Sequence, residues 1–150
     1  MSEEILTADL LESLLNAKSP EEYLCHDENI MDRSLPDYLY QLLEERGVKR
    51  ADVIRASSLN STVVYDIFAG DSLPGRDNAI MLAFGLECSL IETQRLLRLA
   101  GVSELWPKVR RDAIIIWCIE QGLTREECDD ELYRLGEKTL LVAGADGKSA

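Results

Sequence analysis

Four places in this chain share one short grammar: a Ser or Thr, followed three residues later by an Asp or Glu. They are Ser19–Glu22, Ser34–Asp37, Ser89–Glu92 and Thr124–Glu127. This is the capping-box pattern, in which the hydroxyl and the carboxylate satisfy backbone N–H groups at a helix start. Pro20 and Pro36 sit just inside two of these starts, where a missing N–H does no harm. Glycines at 47, 70, 101, 122 and 136 follow apolar-periodic runs, where helix C-termini often end. No apolar/polar alternation lasts the length of a strand. Val63 and Val64 lie in a segment whose flanks and Gly70 fit a helix better. The expected fold class is therefore all-α, with short helices near 7–17, 20–26, 35–46, 50–57, 61–69, 77–87, 90–100, 107–121 and 125–135. Leu35, Leu39, Leu42 and Leu43 form one apolar face. The 107–121 helix carries the longest apolar run, Ala113 to Ile119, and is expected to be the most buried element.

At 150 residues the chain makes one domain, or two at most. Its 46 % hydrophobic and 29 % charged residues exclude a mainly disordered, collagen-like or disulfide-scaffold chain. No apolar run approaches the roughly 20 residues that cross a bilayer, so no membrane partner is expected. The acidic start, Met-Ser-Glu-Glu, lacks the basic end of a secretory signal, and a cytoplasmic location is expected. The cysteines, Cys25, Cys88, Cys118 and Cys128, form no C-x-x-C pair, and His26 is the single histidine. Zinc needs clustered ligands, so neither a metal nor another cofactor is expected, and the thiols read as reduced and mostly buried. No nucleophile–base pair or phosphate-binding glycine loop occurs, and an enzyme is not expected.

Charge is unevenly spread. The net charge is -12, which argues against an unspecific nucleic-acid binder, because phosphate contacts need cations. Residues 1–45 hold twelve acids and two bases, and residues 77–150 hold thirteen acids and nine bases. Only residues 46–76 are net basic, with Arg46, Lys49, Arg50, Arg55 and Arg76 against Asp52, Asp66 and Asp71. Beyond residue 75 there is an internal echo. Arg76, Ala79 and Ile80 recur 34 residues later as Arg110, Ala113 and Ile114. Ser89, Glu92, Leu97 and Gly101 recur 35 residues later as Thr124, Glu127, Leu132 and Gly136. Two helical hairpins sharing cap grammar explain this at least as well as a repeat array.

Within the basic window, Val53, Ile54, Leu59, Val64 and Ile67 occupy positions 4, 5, 10, 15 and 18 counted from Arg50. This spacing seals two short helices crossing at roughly 90–120° over a tight turn. Asn60 is a good N-cap for the second, and Gly70 and Pro74 follow as a stop.

Leu35 to Gly101 resembles the five-helix domain of phage-repressor/Cro (XRE) type helix-turn-helix regulators of bacteria. Pro36-Asp37-Tyr38-Leu39 with Leu42-Leu43 resembles its first helix, Val53-Ile54 with Leu59-Asn60 its second helix and turn, and Val64, Ile67, Gly70 and Pro74 its third helix and exit. Ala79-Ile80 with Leu82-Ala83 resembles the fourth, and Ser89 to Leu97 the fifth. Small regulators of this kind also carry a block like Arg110 to Ile116 and a closing helix like Glu131-Leu132-Tyr133. The implied organisation is an acidic helical arm at 1–33, the helix-turn-helix domain at 34–102, a C-terminal helical hairpin at 103–141 packed on it, and a flexible tail at 142–150.

The resemblance implies sequence-specific binding of double-stranded DNA by a transcription regulator. The 61–69 helix would lie in the major groove, with Asn60, Ser61, Thr62, Tyr65 and Asp66 as candidates for base edges. Arg46, Lys49, Arg50, Arg55 and Arg76 are candidates for phosphates. Asp66 and Asp71 oppose the phosphates, and Ser58 stands where such regulators have glycine. The alternative is an acidic protein-interaction module on the same fold that has lost DNA binding, since fold alone does not fix function. Regulators of this type act as two-fold dimers, and a homodimer contact is expected at Trp106, Ile115 and Trp117. Lone arginines are more often solvated charges, and the two tryptophans are equally core aromatics.

Overall fold

The computed structural model describes residues 7–25 and 34–142. His26 and residues 143–150 of the expected tail lie outside them. Among the described residues all regular structure is α-helical: α1 (Thr7–Asn16), α2 (Pro20–Leu24), α3 (Leu35–Arg46), α4 (Arg50–Ser57), α5 (Ser61–Ala69), α6 (Arg76–Gly85), α7 (Leu90–Ala100), α8 (Arg110–Glu120) and α9 (Arg125–Arg134). None is long and apolar enough to cross a membrane. The chain divides into two units, residues 1–33 with α1 and α2, and residues 34–150 with α3 to α9.

The cap grammar sets the helix starts. Ser89 Oγ accepts the Glu92 amide at 3.2 Å while the Glu92 carboxylate accepts the Ser89 amide at 2.9 Å. Thr124 and Glu127 repeat this at 3.1 and 2.9 Å. Ser34 and Ser19 each accept one amide, at 3.3 Å. The glycines at 47, 70, 101, 122 and 136 all have positive φ. The expected 107–121 helix begins only at Arg110. The segment before it is held as a loop: the Gln94 side chain accepts the Leu105 amide and donates to the Leu105 carbonyl, both at 2.8 Å, and the Trp106 amide donates to Asp112 at 3.0 Å.

The core of the second unit gathers Leu35, Leu39 and Leu42 of α3 with Val53, Val64, Ile67 and Phe68. Its centre is α6, where Ala79 to Ala83 are all buried. This corrects the expectation for α8, which buries only Asp112, Ile115 and Cys118. The reason is packing on more than one side. Helix α6 packs on α4, α7 and α9, so it has no outward face, whereas α8 packs mainly on α9 and α7. The apolar run of α8 therefore turns part of itself outward.

The echo seen in sequence is a duplication with one register of 35 residues throughout, so the partner of Arg76 is Arg111, not Arg110. Arg76 Nε donates to the Ser103 carbonyl at 2.9 Å, and Arg111 Nε to the Lys138 carbonyl at 2.8 Å. Gln94 binds the Leu105 amide, and Asp129 binds the Leu140 amide at 2.6 Å. Even the turns agree, with Glu87 at φ 55° where Gly122 has φ 74°. The two hairpins, α6–α7 and α8–α9, then clasp each other reciprocally. Arg76 holds Asp112 with bonds of 3.0 and 2.7 Å, and Arg111 holds Asp77 with bonds of 3.0 and 3.2 Å. Exchanging the hairpins turns one clasp into the other, which is the signature of an approximate two-fold relation. Both are bidentate Arg–carboxylate pairs, the strong geometry for such contacts.

Candidate nucleic-acid interface

The α4–α5 corner presents the exposed surface that the sequence reading singled out. Helix α4 ends at Ser58, whose φ of 66° turns the chain back. Ser57 is fully buried, and its hydroxyl accepts the Leu59 amide at 3.2 Å and donates to the Ile54 carbonyl at 3.3 Å. Leu59, Val64 and Ile67 are buried, as their spacing requires. With Phe68 also inside, α5 has one face in the core and the opposite one free.

The free face carries Ser61, Thr62 and Tyr65, all exposed, beside the half-buried Asp66. Asn60 has a different place. Its Oδ1 accepts the Thr62 amide at 2.8 Å and its side chain is half-buried, so it acts as the N-cap and its acceptor is already used. Tyr65 is not a free hydroxyl on a bare surface either. The Arg50 guanidinium lies 4.8 Å from its ring centroid and reaches the Tyr40 hydroxyl at 3.4 Å. Tyr40 in turn meets Phe68 edge-on, with ring centroids 5.2 Å apart. Sequence reasoning missed Tyr40, which fixes Arg50 beside α5. Its only signal was an aromatic outside the leucine face of α3.

The five expected phosphate contacts do not stay together. Arg46 is paired with Glu92 and lies 3.6 Å from Glu45. Arg55 is paired with Asp52 one turn back. Arg76 turns to Asp112 and to the Ser103 and Glu104 carbonyls, and its hydrogen bonds to Asp112 hold its proton more tightly than usual. That corrects its assignment: four of its five N–H donors are committed within the chain and its charge is met by Asp112. Lys49 and Arg50, at the start of α4, are exposed. Against them stand Asp66 and the exposed Asp71, whose amide donates to the Asp66 carbonyl at 2.9 Å. Two cations and two anions leave this surface near neutrality.

The expected dimer residues also separate. Trp106 and Trp117 are 58 % and 53 % exposed, in the loop before α8 and on its outer side. Ile115 is fully buried, so it belongs to the core and not to a contact surface. The thiols are free, with Cys118 and Cys128 buried, Cys88 partly so and Cys25 exposed. No known protein family, curated protein or solved structure matches this chain.

Proposed function

We propose that this protein is a phage-repressor type helix-turn-helix transcription regulator, acting in the cytoplasm, that binds double-stranded DNA with α5 in the major groove. On this reading α3 to α7 are the five-helix domain, α4 and α5 its helix-turn-helix, and the molecule works as a homodimer on two half-sites. The observation that carries it is the exposed Ser61–Thr62–Tyr65 face, flanked by an Arg50 held in place by Tyr65 and Tyr40. Short hydroxyl side chains at a helix start can bond base edges or phosphates, and the Thr62 methyl suits a thymine methyl. Lys49 and Arg50 are the cations left to fix register on the backbone.

A second reading has its own observation. Arg46, Arg55 and Arg76 are each neutralised within the fold. With Asp66 and Asp71 beside α5, that balance suits an acidic protein-interaction module on the same scaffold. Binding of the purified chain to its own promoter region at two salt concentrations separates the two. The regulator reading expects a specific complex whose affinity falls with salt, and Arg50→Ala should flatten the log–log salt slope by about one unit. Absence of any duplex binding leaves the interaction module.

A further inference from the structure

Arg125, at the start of α9, breaks the match between the two hairpins. In the 35-residue register its counterpart on the first hairpin is Leu90, an apolar side chain packed against the core. Arg125 is only 6 % exposed. Taking a guanidinium out of water is costly unless its charge and its donors are met. Among the described residues its side chain makes one hydrogen bond, from Nη1 to the Asp129 carboxylate, and Nε has no partner. Glu126 lies 3.8 Å from Nη2, beyond hydrogen-bond range. Asp129 is itself divided, since it also accepts the Leu140 and Leu141 amides at 2.6 and 3.1 Å. Holding that loop does not require an arginine. On the first hairpin the neutral Gln94 holds the Leu105 amide, with Leu90 in the place of Arg125. Arg76 shows the contrast, with four hydrogen bonds to Asp112 and two carbonyls.

The same arginine lines a cavity of about 580 Å³, within the size range of small-molecule sites. Both hairpin turns wall it, Phe84 with its counterpart Ile119 and Ser89 with its counterpart Thr124. Leu123 adds to the apolar part of the wall. Arg46 also lines it but is paired with Glu92, so Arg125 is the cation with donors to spare. We infer that this cavity binds a small organic monocarboxylate with an apolar body. The carboxylate takes up donors of Arg125 that Asp129 leaves free, and the body lies on Phe84, Ile119 and Leu123. The planar guanidinium fork matches a carboxylate, and the first turn of α9 favours negative charge. One negative charge is the limit. Glu87, Glu92 and Glu126 line the same cavity, and a phosphate dianion would meet them as like charges. Glu126 competes for Arg125, but its side chain is 58 % exposed and can turn to water when the ligand enters. Fatty acids and apolar amino acids share this chemistry, and an amino acid would also offer an ammonium to Glu87 or Glu126. None of these residues belongs to α5, so either reading of α5 leaves the inference standing.

Calorimetric titration of the full chain tests this with phenylpropanoate, decanoate and phenylalanine as carboxylates. Phenylpropanol supplies the same body without charge, and phenylpropyl phosphate the same body with a dianion. Wild type should bind at least one carboxylate saturably, and phenylpropanoate at least about tenfold more tightly than the alcohol or the phosphate, the share of one charge-assisted contact. Arg125→Leu, which gives the second turn the residue of the first, should weaken carboxylate binding at least about tenfold. Asp129 keeps its two amides in that variant, so it should fold, and circular dichroism checks that it does. Arg125→Lys keeps the charge without the fork and should also bind several-fold more weakly, so the test survives if Arg125→Leu does not fold. Glu126→Gln should tighten carboxylate binding by up to about fivefold, which a merely structural Arg125 would not produce. Arg134→Leu, at the exposed far end of α9, should leave it unchanged. Phenylalanine binding more tightly than phenylpropanoate assigns the site to amino acids, and the reverse order assigns it to carboxylates of the fatty-acid kind. Absence of saturable binding by all three carboxylates up to millimolar concentration overturns the inference. So does an alcohol or phosphate that binds as tightly as phenylpropanoate, or wild-type affinity in the Arg125 variants.

Discussion

Ser58 sits at φ 66°, in the left-handed region where a side chain crowds its own backbone at a cost of roughly 1–2 kcal/mol. Glycine avoids that crowding but gives up some chain entropy. Ser58→Gly is therefore expected to stabilise the protein by about 1 kcal/mol or less. An unchanged or lowered denaturant midpoint would count against the strain. Two turns on, Ile67 is 1 % exposed in the core, and Ile67→Ala should cost roughly 2–5 kcal/mol in the same melts. The cysteines give a pH reading. Burial, with the Glu92 carboxylate adding to it, pushes the Cys88 thiol up to about 12, and burial pushes Cys128 up as well. Thiols in the unfolded chain ionise near 8.5. The fold thus favours the neutral thiol, and this contribution is whole below about pH 8.5 and is lost as pH rises from there towards 12. Chemical denaturation at pH 7 and pH 10 should show the loss, and at pH 8 Cys25 should react with a thiol reagent well before the other three. Ser58 was singled out only through the resemblance, which has glycine at that place in the turn. The neutralisation of Arg46 and Arg76 was not legible in the sequence, because their partners Glu92 and Asp112 lie 46 and 36 residues away.

Helix positions were largely legible, because a cap is a local event written in four residues. Where α8 starts was not, since the loop at Leu105 is held by Gln94 of α7 and Trp106 by Asp112. Nor was its burial, because hydrophobicity says that a helix seeks cover and not how many neighbours will supply it. The internal similarity was half visible: the shift of 34 for Arg76, Ala79 and Ile80, against 35 for the caps, matched Arg76 to Arg110 and the two apolar residues to Ala113 and Ile114, each one position short of the structural partner. The bonds settle the register, and they also rank the two clasps. Asp112 is 3 % exposed and serves Arg76 and the Trp106 amide together. Asp77 is 28 % exposed on its side chain, with Lys138 4.0 Å away. Breaking a buried pair leaves an uncompensated charge at roughly 3–5 kcal/mol. Asp112→Asn should fall near the lower end, because Arg76 keeps about a quarter of its side chain in water. Asp77→Asn should cost clearly less. Equal losses in thermal or denaturant melts would show that the clasps are not the asymmetric pair the burial describes. Gly85→Ala tests the same layer from the other side. Its Cβ would meet the Ser57 Cβ at 2.9 Å and the Val53 carbonyl at 3.0 Å, forcing α4 off α6 at about 1–3 kcal/mol.

For the molecule as a whole, the question is whether an acidic chain can hold a polyanion through one small surface. The net charge of -12 repels DNA at long range, but at physiological salt that repulsion is screened within about 8 Å, so the groups lining α5 decide. There Lys49 and Arg50 face Asp66 and Asp71. Asp66→Gln with Asp71→Arg removes two negative charges and adds one positive. If α5 lies on DNA, the double variant should bind duplexes more tightly, most visibly at low salt. The guanidinium introduced by Asp71→Arg, as a new phosphate contact, should steepen the log–log salt slope by about one unit. The same substitutions should leave folding stability within about half a kilocalorie per mole, because both sites lie away from the core. Thr62→Ala is the control. It should weaken a specific complex by about 1–3 kcal/mol and leave general duplex affinity nearly unchanged. A wild type that binds its own promoter specifically, and a double variant that gains affinity while losing that preference, would make Asp66 a reader of cytosine, since an aspartate accepts a hydrogen bond from its amino group. If wild type and double variant both ignore duplex DNA at low salt, charge was not the obstacle. The interaction-module reading then takes the place of the regulator reading.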